Sequence, residues 1–452
     1  MDMKIVIAGV GKLGEYLAYE LVNDENEVTL VDVSFDKKND LINNLDVSYV
    51  EGNGVDPKVL EQAGVSNCDL LISVTGKDEL NLMISLIGKK LGAKHTIARS
   101  RNPEYADSVS LLKEDLGLSM VINPEQMTAS SIARTLNIPS ALDSTSMLKG
   151  KIEVVTLKVK ENNKLDKSTI RGLSKRLGIN IIVCAIERDG EVLIPKGDTK
   201  LQLGDKIHIT GTRKDINTLL KHMGLISEKT KKVIISGGSA IAVYLTNILI
   251  DMGMSVKIIE LDKDRCLELT EKLPKAIIIH GDSSDQKLLY QEGIEESDAF
   301  VALTSIDEEN IVYSMFASLI KVPKIITKVN HIKLDGVIES AKVDSVVAPK
   351  RVASNQIVQY VRAMASRGGS SCEAIYKYRD IFELIEFKVK DDFKKTGVQL
   401  KDLELKDEMI IGAILRDKSL IFPCGKDTIM EGDTIVVVNS KNKVLDINDI
   451  LK

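Results

Sequence analysis

Short apolar runs alternate with amphipathic stretches along the opening third of the chain. Strand character is read near Lys4–Ala8, Glu27–Val31, Val47–Val50, Leu70–Val74, His95–Ala98 and Met120–Ile122. Helical spacing falls between them, most clearly at Gly14–Leu21, Pro57–Ala63 and Leu80–Leu91. Such alternation predicts a parallel, doubly wound sheet of the Rossmann type. Near Ile152–Met223 and again near Phe382–Lys452 the pattern becomes richer in strands, which predicts a small α+β domain. Ser140–Gly150 and Arg367–Ser371, rich in small polar residues, read as linkers. Val233–Ile250 carries no charge over 18 residues, but its glycines and β-branched start predict strand, turn and buried helix rather than a membrane span.

The pattern occurs twice. Lys4–Gly14 aligns with Lys232–Ala242 at an offset of 228 residues. Gly64, Asp69, Asp78, Glu79 and Asn81 align with Gly293, Asp298, Asp307, Glu308 and Asn310 at 229. Pro124 and Ile132 align with Pro349 and Ile357 at 225, and Arg188, Pro195, Gly197, Gly204 and Asp205 with Arg416, Pro423, Gly425, Gly432 and Asp433 at 228. A drift this small means loop insertions inside a duplicated unit. Because texture changes midway through each repeat, four domains are expected, at 1–140, 141–226, 230–366 and 372–452.

Gly9-Val10-Gly11-Lys12-Leu13-Gly14 fits G-x-G-x-x-G between a strand and a helix, the context that gives the motif meaning. Gly9 permits the tight turn, Gly11 the approach of a pyrophosphate, and Gly14 close helix–strand packing. Phosphates there would meet unpaired amides at the positive end of the helix. Asp32 ends the second strand, where a carboxylate accepts ribose hydroxyls and repels the 2′-phosphate of NADP. Gly52, Asn53 and Thr75 follow the third and fourth strands at the edge where ligands bind in such sheets. Arg99 ends the fifth strand, and there it either forks onto a phosphate or pairs with an acidic neighbour. The second repeat keeps Gly237 but has Ser239 and Ala242 at the next two glycine positions, with Glu260 at the ribose position and Asp282 in place of Asn53. That predicts a weakened or altered second site.

Composition narrows the classes. Lys and Arg number 61 against 66 Asp and Glu, a net charge of −5, and aromatics make up 4 %, so no nucleic-acid partner is expected. Five scattered cysteines read as reduced thiols, and no secretory signal or membrane insertion is expected. His95, His208, His222, His280 and His331 lie in no catalytic motif, with His95 and His280 expected to be packed and hydrogen-bonded. Asp307-Glu308-Glu309, like Asp78-Glu79, reads as a solvated helix start. No catalytic residue or metal site emerges. An NAD-dependent oxidoreductase and a purely structural scaffold remain the competing classes.

Gly9 to Gly14, Asp32, Gly52, the Asp78-Glu-x-Asn81 stretch and Arg99, in that order, resemble the regulator-of-conductance-of-potassium (RCK, or KTN) family. Ile194–Gly197 before Leu203-Gly-Asp205, and Phe422–Gly425 before Glu431-Gly-Asp433, look like that family's C-terminal module. Asn53 departs from the family's usual Asp, and Ser239 from its glycine. The resemblance implies a non-enzymatic gating subunit. It would bind NAD(H) or ATP/ADP and assemble as a homo-oligomer, a tetrameric ring of eight RCK units. It would lie in the cytoplasm at the inner face of the plasma membrane, under a potassium-translocating membrane subunit. The Pro124–Leu136 helix resembles the family's crossover helix, with Ile132 and Leu136 packing on a neighbouring unit.

Overall fold

The computed structural model describes residues 3–35, 43–102, 117–138, 141, 143–148, 150–160, 165, 168–224, 230–330, 345–365, 372–378, 382–440, 444 and 446–452. The first repeat opens with β1 (Lys4–Ala8), α1 (Lys12–Asn23), β2 (Glu27–Asp32), β3 (Val47–Glu51), α2 (Pro57–Gln62), β4 (Leu70–Ser73), α3 (Asp78–Leu91), β5 (His95–Arg99), β6 (Met120–Ile122) and α4 (Pro124–Asn137). The six strands form one parallel sheet in the order β3-β2-β1-β4-β5-β6. Ile5 and Ile7 lie opposite Val28 and Leu30 on one side and Leu70 and Ile72 on the other, so central strands buried on both faces are apolar throughout. Strand order reverses beside β1, and this places the crevice at the carboxyl ends of β1 and β4.

An antiparallel module follows, with β7 (Asp143–Met147), β8 (Ile152–Lys158), α5 (Ile170–Leu177), β9 (Ile181–Arg188), β10 (Glu191–Leu193), β11 (Lys206–Gly211) and α6 (Arg213–His222), in sheet order β10-β9-β11-β8-β7. The stretch expected as the linker 140–150 therefore holds an edge strand paired to β8. Residues 367–371, expected as the second linker, lie outside the described residues.

The second repeat has the same plan. Its parallel sheet contains β12 (Lys232–Ser236), β13 (Ser255–Glu260), β14 (Ile277–His280), β15 (Ala299–Ala302), β16 (Lys324–Lys328) and β17 (Ser345–Val347), ordered β14-β13-β12-β15-β16-β17. Around it lie α7 (Ala240–Asp251), α8 (Lys263–Lys272), α9 (Gln286–Gln291), α10 (Asp307–Leu319) and α11 (Pro349–Ala365). The uncharged run from Val233 thus forms strand, turn and helix. The last module is β18 (Cys372–Tyr378), β19 (Phe382–Lys388), β20 (Met409–Arg416), β21 (Ser419–Ile421) and β22 (Thr434–Asn439), ordered β18-β19-β22-β20-β21. Among the described residues no helix is long and apolar enough to cross a membrane.

The final helices of the two parallel domains are exchanged. Ala129, Ile132, Ala133 and Leu136 of α4 enter the core of the second repeat beside Val233, Leu245 and Ile258. Ala353, Ile357, Val358 and Val361 of α11 enter the first beside Ile5, Leu17 and Leu30. Ile132 and Leu136 are essentially inaccessible, and each contributes about 2 kcal/mol of apolar burial. The neighbouring unit of the Pro124 helix is therefore the other half of the same chain. The antiparallel modules also share a core, where Met147, Cys184 and Ala185 meet Phe382, Leu384 and Val436.

The repeated Arg and Gly-Asp positions acquire a structural reason. Arg188 grips Asp205 through Nε and Nη2, both at 2.8 Å, and Arg416 grips Asp433 at 2.9 and 2.8 Å. Each buried carboxylate also accepts an amide across its turn, from Gln202 or Met430. Asp205→Ala removes all three bonds and is expected to cost its module about 2 kcal/mol, measured by urea unfolding of the full chain. A change below about 0.5 kcal/mol would contradict this account.

Candidate functional site

The glycine loop is held by close backbone approach. Gly9 has φ +99°, and a Cβ there would lie 2.6 Å from the Thr75 amide nitrogen at the end of β4. A Cβ at Gly14 would lie 2.1 Å from the Gly9 carbonyl oxygen. Gly11 differs, because a Cβ there meets nothing within 4 Å. As N-cap of α1 it offers no side-chain cap, which leaves the first-turn amides to an anion. Asp32 turns back over the loop and accepts the Val10 amide at 2.6 Å and the Ser34 amide at 3.3 Å.

The small residues after β3 serve their own helices first. A Cβ on Gly52 would strike Val59 at 2.7 Å, and one on Gly54 would reach Ile84 at 3.0 Å. Asn53 accepts the Val55 amide at 3.2 Å in a local turn. Thr75 gives both its amide and its hydroxyl to Asn81 Oδ1, each at 2.7 Å, so the buried Asn81 fixes the β4 rim. Arg99 pairs with Glu125 at 3.1 Å, with both side chains largely covered. Burial lowers the Arg99 pKa, against the raising effect of Glu125. The pairing with an acidic neighbour is thus realised, yet Arg99 still lines the crevice, and among the described residues its Nε and Glu125 Oε2 have no hydrogen-bond partner.

These groups surround a cavity of about 820 Å³. Gly9 to Leu13, Asp32, Asn53, Thr75 and Arg99 line one side, and Ser239, Ala240, Ile241, Lys328 and Lys350 of the second repeat line the other. Burial depresses the pKa of Lys328, as it does that of Lys350, where Lys12 adds to the effect. Lys12 at the helix terminus and Lys328 and Lys350 opposite it therefore concentrate positive charge there, with Asp32 and Glu125 as counter-charges. The two lysines were not among the residues expected at the site. Their register was a clue, since Lys328 aligns with Arg99 at offset 229 and Lys350 with Glu125 at 225. Only the exchange of halves brings them to the first loop.

The second crevice, of about 730 Å³, is built from its own repeat. Gly237 repeats the positive φ, at +95°. Glu260 accepts the Gly238 amide at 2.6 Å and the Asp262 amide at 2.8 Å, and Asp282 accepts the Ser284 amide at 2.7 Å.

Two expectations are corrected. Asp307 and Asp78 are buried rather than solvated. Asp307 accepts the backbone and side-chain nitrogens of Asn330 at 2.8 and 2.9 Å, and Asp78 accepts the amides of Arg101 and Asn102 at 2.7 and 2.8 Å. Each anchors the loop after the fifth strand, and only Glu308 of the second cluster is fully open to solvent. His280 donates its Nε2–H to the Leu261 carbonyl oxygen at 3.1 Å and is exposed rather than packed, whereas His95 is held by Ser119 and Tyr360. His208 sits between Thr156 and Glu187, His222 meets Arg176, and His331 lies outside the described residues. Cys184 is buried, which pushes its thiol up to about 12. Among the described residues no cluster could hold a metal ion.

Comparison with known proteins follows this geometry. The TrkA-N domain model matches residues 5–124 and 233–349, and the TrkA-C domain model matches 154–224 and 384–452. A Trk system potassium uptake protein TrkA homolog from Archaeoglobus fulgidus is 33% identical over 451 residues, covering 100% of both chains. Among solved structures, the GsuK channel bound to NAD superposes with a TM-score of 0.63 at 17% identity, over 97% of this chain and 77% of that one. GsuK bound to ADP gives 0.51 at 15%, over 80% and 69%. These two structural likenesses speak to fold. Two TrkA-N and two TrkA-C matches, with a relative aligned from end to end, place the chain in the TrkA family.

Proposed function

We propose that this chain is the nucleotide-binding regulatory subunit of a Trk-type potassium uptake system, with its main site at the first glycine loop. Gly9 to Gly14, Asp32, Gly52, Asn53, Thr75 and Arg99 hold NAD(H) or ATP/ADP there, and Gly237, Glu260 and Asp282 mark a second crevice. The observation that carries this reading is the shared cavity. A nucleotide on the first loop also touches Lys328 and Lys350 of the second repeat, so its phosphates favour one fit of the two halves over another. A ligand shifts a conformational equilibrium only by such differential contact. The charged groups lining the cavity suit the binding of a phosphorylated ligand.

The relatives' names place them in a potassium uptake system, which supports a potassium-translocating membrane partner; the reading takes that partner to be of the TrkH/TrkG kind. The chain would assemble as a ring of four chains, held in the cytoplasm against the inner face of the plasma membrane. Domain boundaries at 1–140, 141–226, 230–366 and 372–452 agree with one sheet in each segment.

Calorimetric titration of the purified full chain tests the site. Asp32→Ala is expected to weaken NADH or ADP at least about tenfold, the scale of losing one charge-assisted pair, while circular dichroism stays unchanged. Unchanged affinity would refute the assignment. Lys328→Met and Lys350→Met should each weaken ATP about three- to tenfold and leave adenosine unaffected. Equal losses for both ligands would mean that the lysines act through the fold rather than through phosphate.

A further inference from the structure

The two crevices share a backbone plan and differ in charge. Three aligned positions shift the second toward negative: Lys12 becomes Ala240, Asn53 becomes Asp282, and Leu80 becomes Glu309. Both members of the last two pairs line their own crevices. As a result Glu260, Asp282, Glu308 and Glu309 line the second crevice, and among the described residues no lysine or arginine does. Arg265 reaches the loop only to donate to the Gly238 carbonyl at 2.8 Å, and it pairs with Glu268 at 2.6 Å. Lys328, which occupies the register of Arg99, faces the first crevice instead.

A second feature points to a ligand. Tyr313, on α10 in the register of Ile84, lines this crevice while only 9% exposed. Its hydroxyl makes no hydrogen bond to another described residue and is not among the sealed, partnerless polar atoms, so it is left open to the crevice. Burial and the nearby Glu309 and Asp282 keep the phenol protonated, hence a donor. The wall therefore offers a donor at Tyr313 beside the serine and threonine hydroxyls, a diol acceptor at Glu260, and a field hostile to added negative charge.

Resting on the nucleotide reading of the glycine loops, we propose that the second crevice is a site for an uncharged nucleoside, and that it selects against phosphates as the first selects for them. Adenosine is the probe, with a ribose diol for Glu260 and base edge atoms that accept from Tyr313. Each added phosphate brings one to two negative charges beside four carboxylates, so affinity should fall in the order adenosine, AMP, ADP, ATP.

The test is calorimetric titration of the full chain at low salt with these four ligands. In the Asp32→Ala variant, adenosine is expected to bind at least tenfold tighter than ATP, and Glu260→Ala should abolish the adenosine isotherm. ATP as tight as adenosine, or no adenosine binding at millimolar concentration, would overturn the proposal. A second arm does not depend on the stability of either variant. Asp282→Asn with Glu309→Leu, in the otherwise unaltered chain, restores first-repeat residues on the crevice wall, and ATP stoichiometry should rise from one towards two per chain. A stoichiometry that stays at one would count against the charge argument. If Asp32→Ala leaves ADP binding unchanged, the first-crevice reading fails by itself, and the Glu260→Ala response to adenosine still decides the second.

Discussion

Arg362→Ala should destabilise the chain by about 3–5 kcal/mol, the largest loss expected from any one substitution outside the cores. Arg362 lies on α11 with its side chain 7% exposed. Its Nε and Nη2 each donate to Asp24 at 2.7 Å, and Nη1 and Nη2 donate to Glu383 at 2.9 and 3.2 Å. Burial opposes the charge, yet the bonds to Asp24 and Glu383 prevail and hold the guanidinium pKa above its ordinary value. Truncation strands two covered carboxylates at the junction of α1, α11 and β19. Lys377 on β18 adds an ion pair to Glu20 on the same α1. Chemical denaturation with hydrogen exchange on β18 and β19 would read both the loss and its location. A loss below about 1 kcal/mol would mean that the carboxylates are solvated. Replacing all three partners, as Arg362→Met with Asp24→Asn and Glu383→Gln, should recover most of the stability, since no bare charge is left buried.

Gly14→Ala should cost about 1–3 kcal/mol and remove most nucleotide affinity at the first site. The added methyl would fall 2.1 Å from the Gly9 carbonyl oxygen, and that oxygen belongs to backbone already pressed against Thr75. Relief requires the loop to lift from the helix, which moves the amides away from the phosphate position. The second repeat carries Ala242 in this register. Thermal unfolding and ADP titration would measure the two effects. Wild-type affinity in the variant would show that the loop moves freely.

Much of the architecture was legible in the chain. The six strands of the first sheet fall within a residue of their expected limits, and the central β1 and β4, buried on both faces, read as nearly unbroken apolar runs. The edge strand β7 was not legible, because Asp143, Ser144, Thr145 and Ser146 are small and polar and pair on one side only. Asp307 misled for a related reason. An acidic residue in a first helical turn reads as solvated unless the amides that bury it are known, and those of Asn330 come from another strand's end.

The sequence by itself determined the duplicated plan, from matches at an offset near 228 residues, and also the parallel and antiparallel sheets and the position of both glycine loops, which depend on periodicity and spacing within about 30 residues. Tertiary structure alone decided that α4 and α11 trade places, that Lys328 and Lys350 face the first loop, and that the two crevices have opposite charge. Those features depend on which side chains meet across two halves some 228 residues apart. Local pattern carries no record of such meetings, because the apolar face of a helix looks the same whichever core receives it.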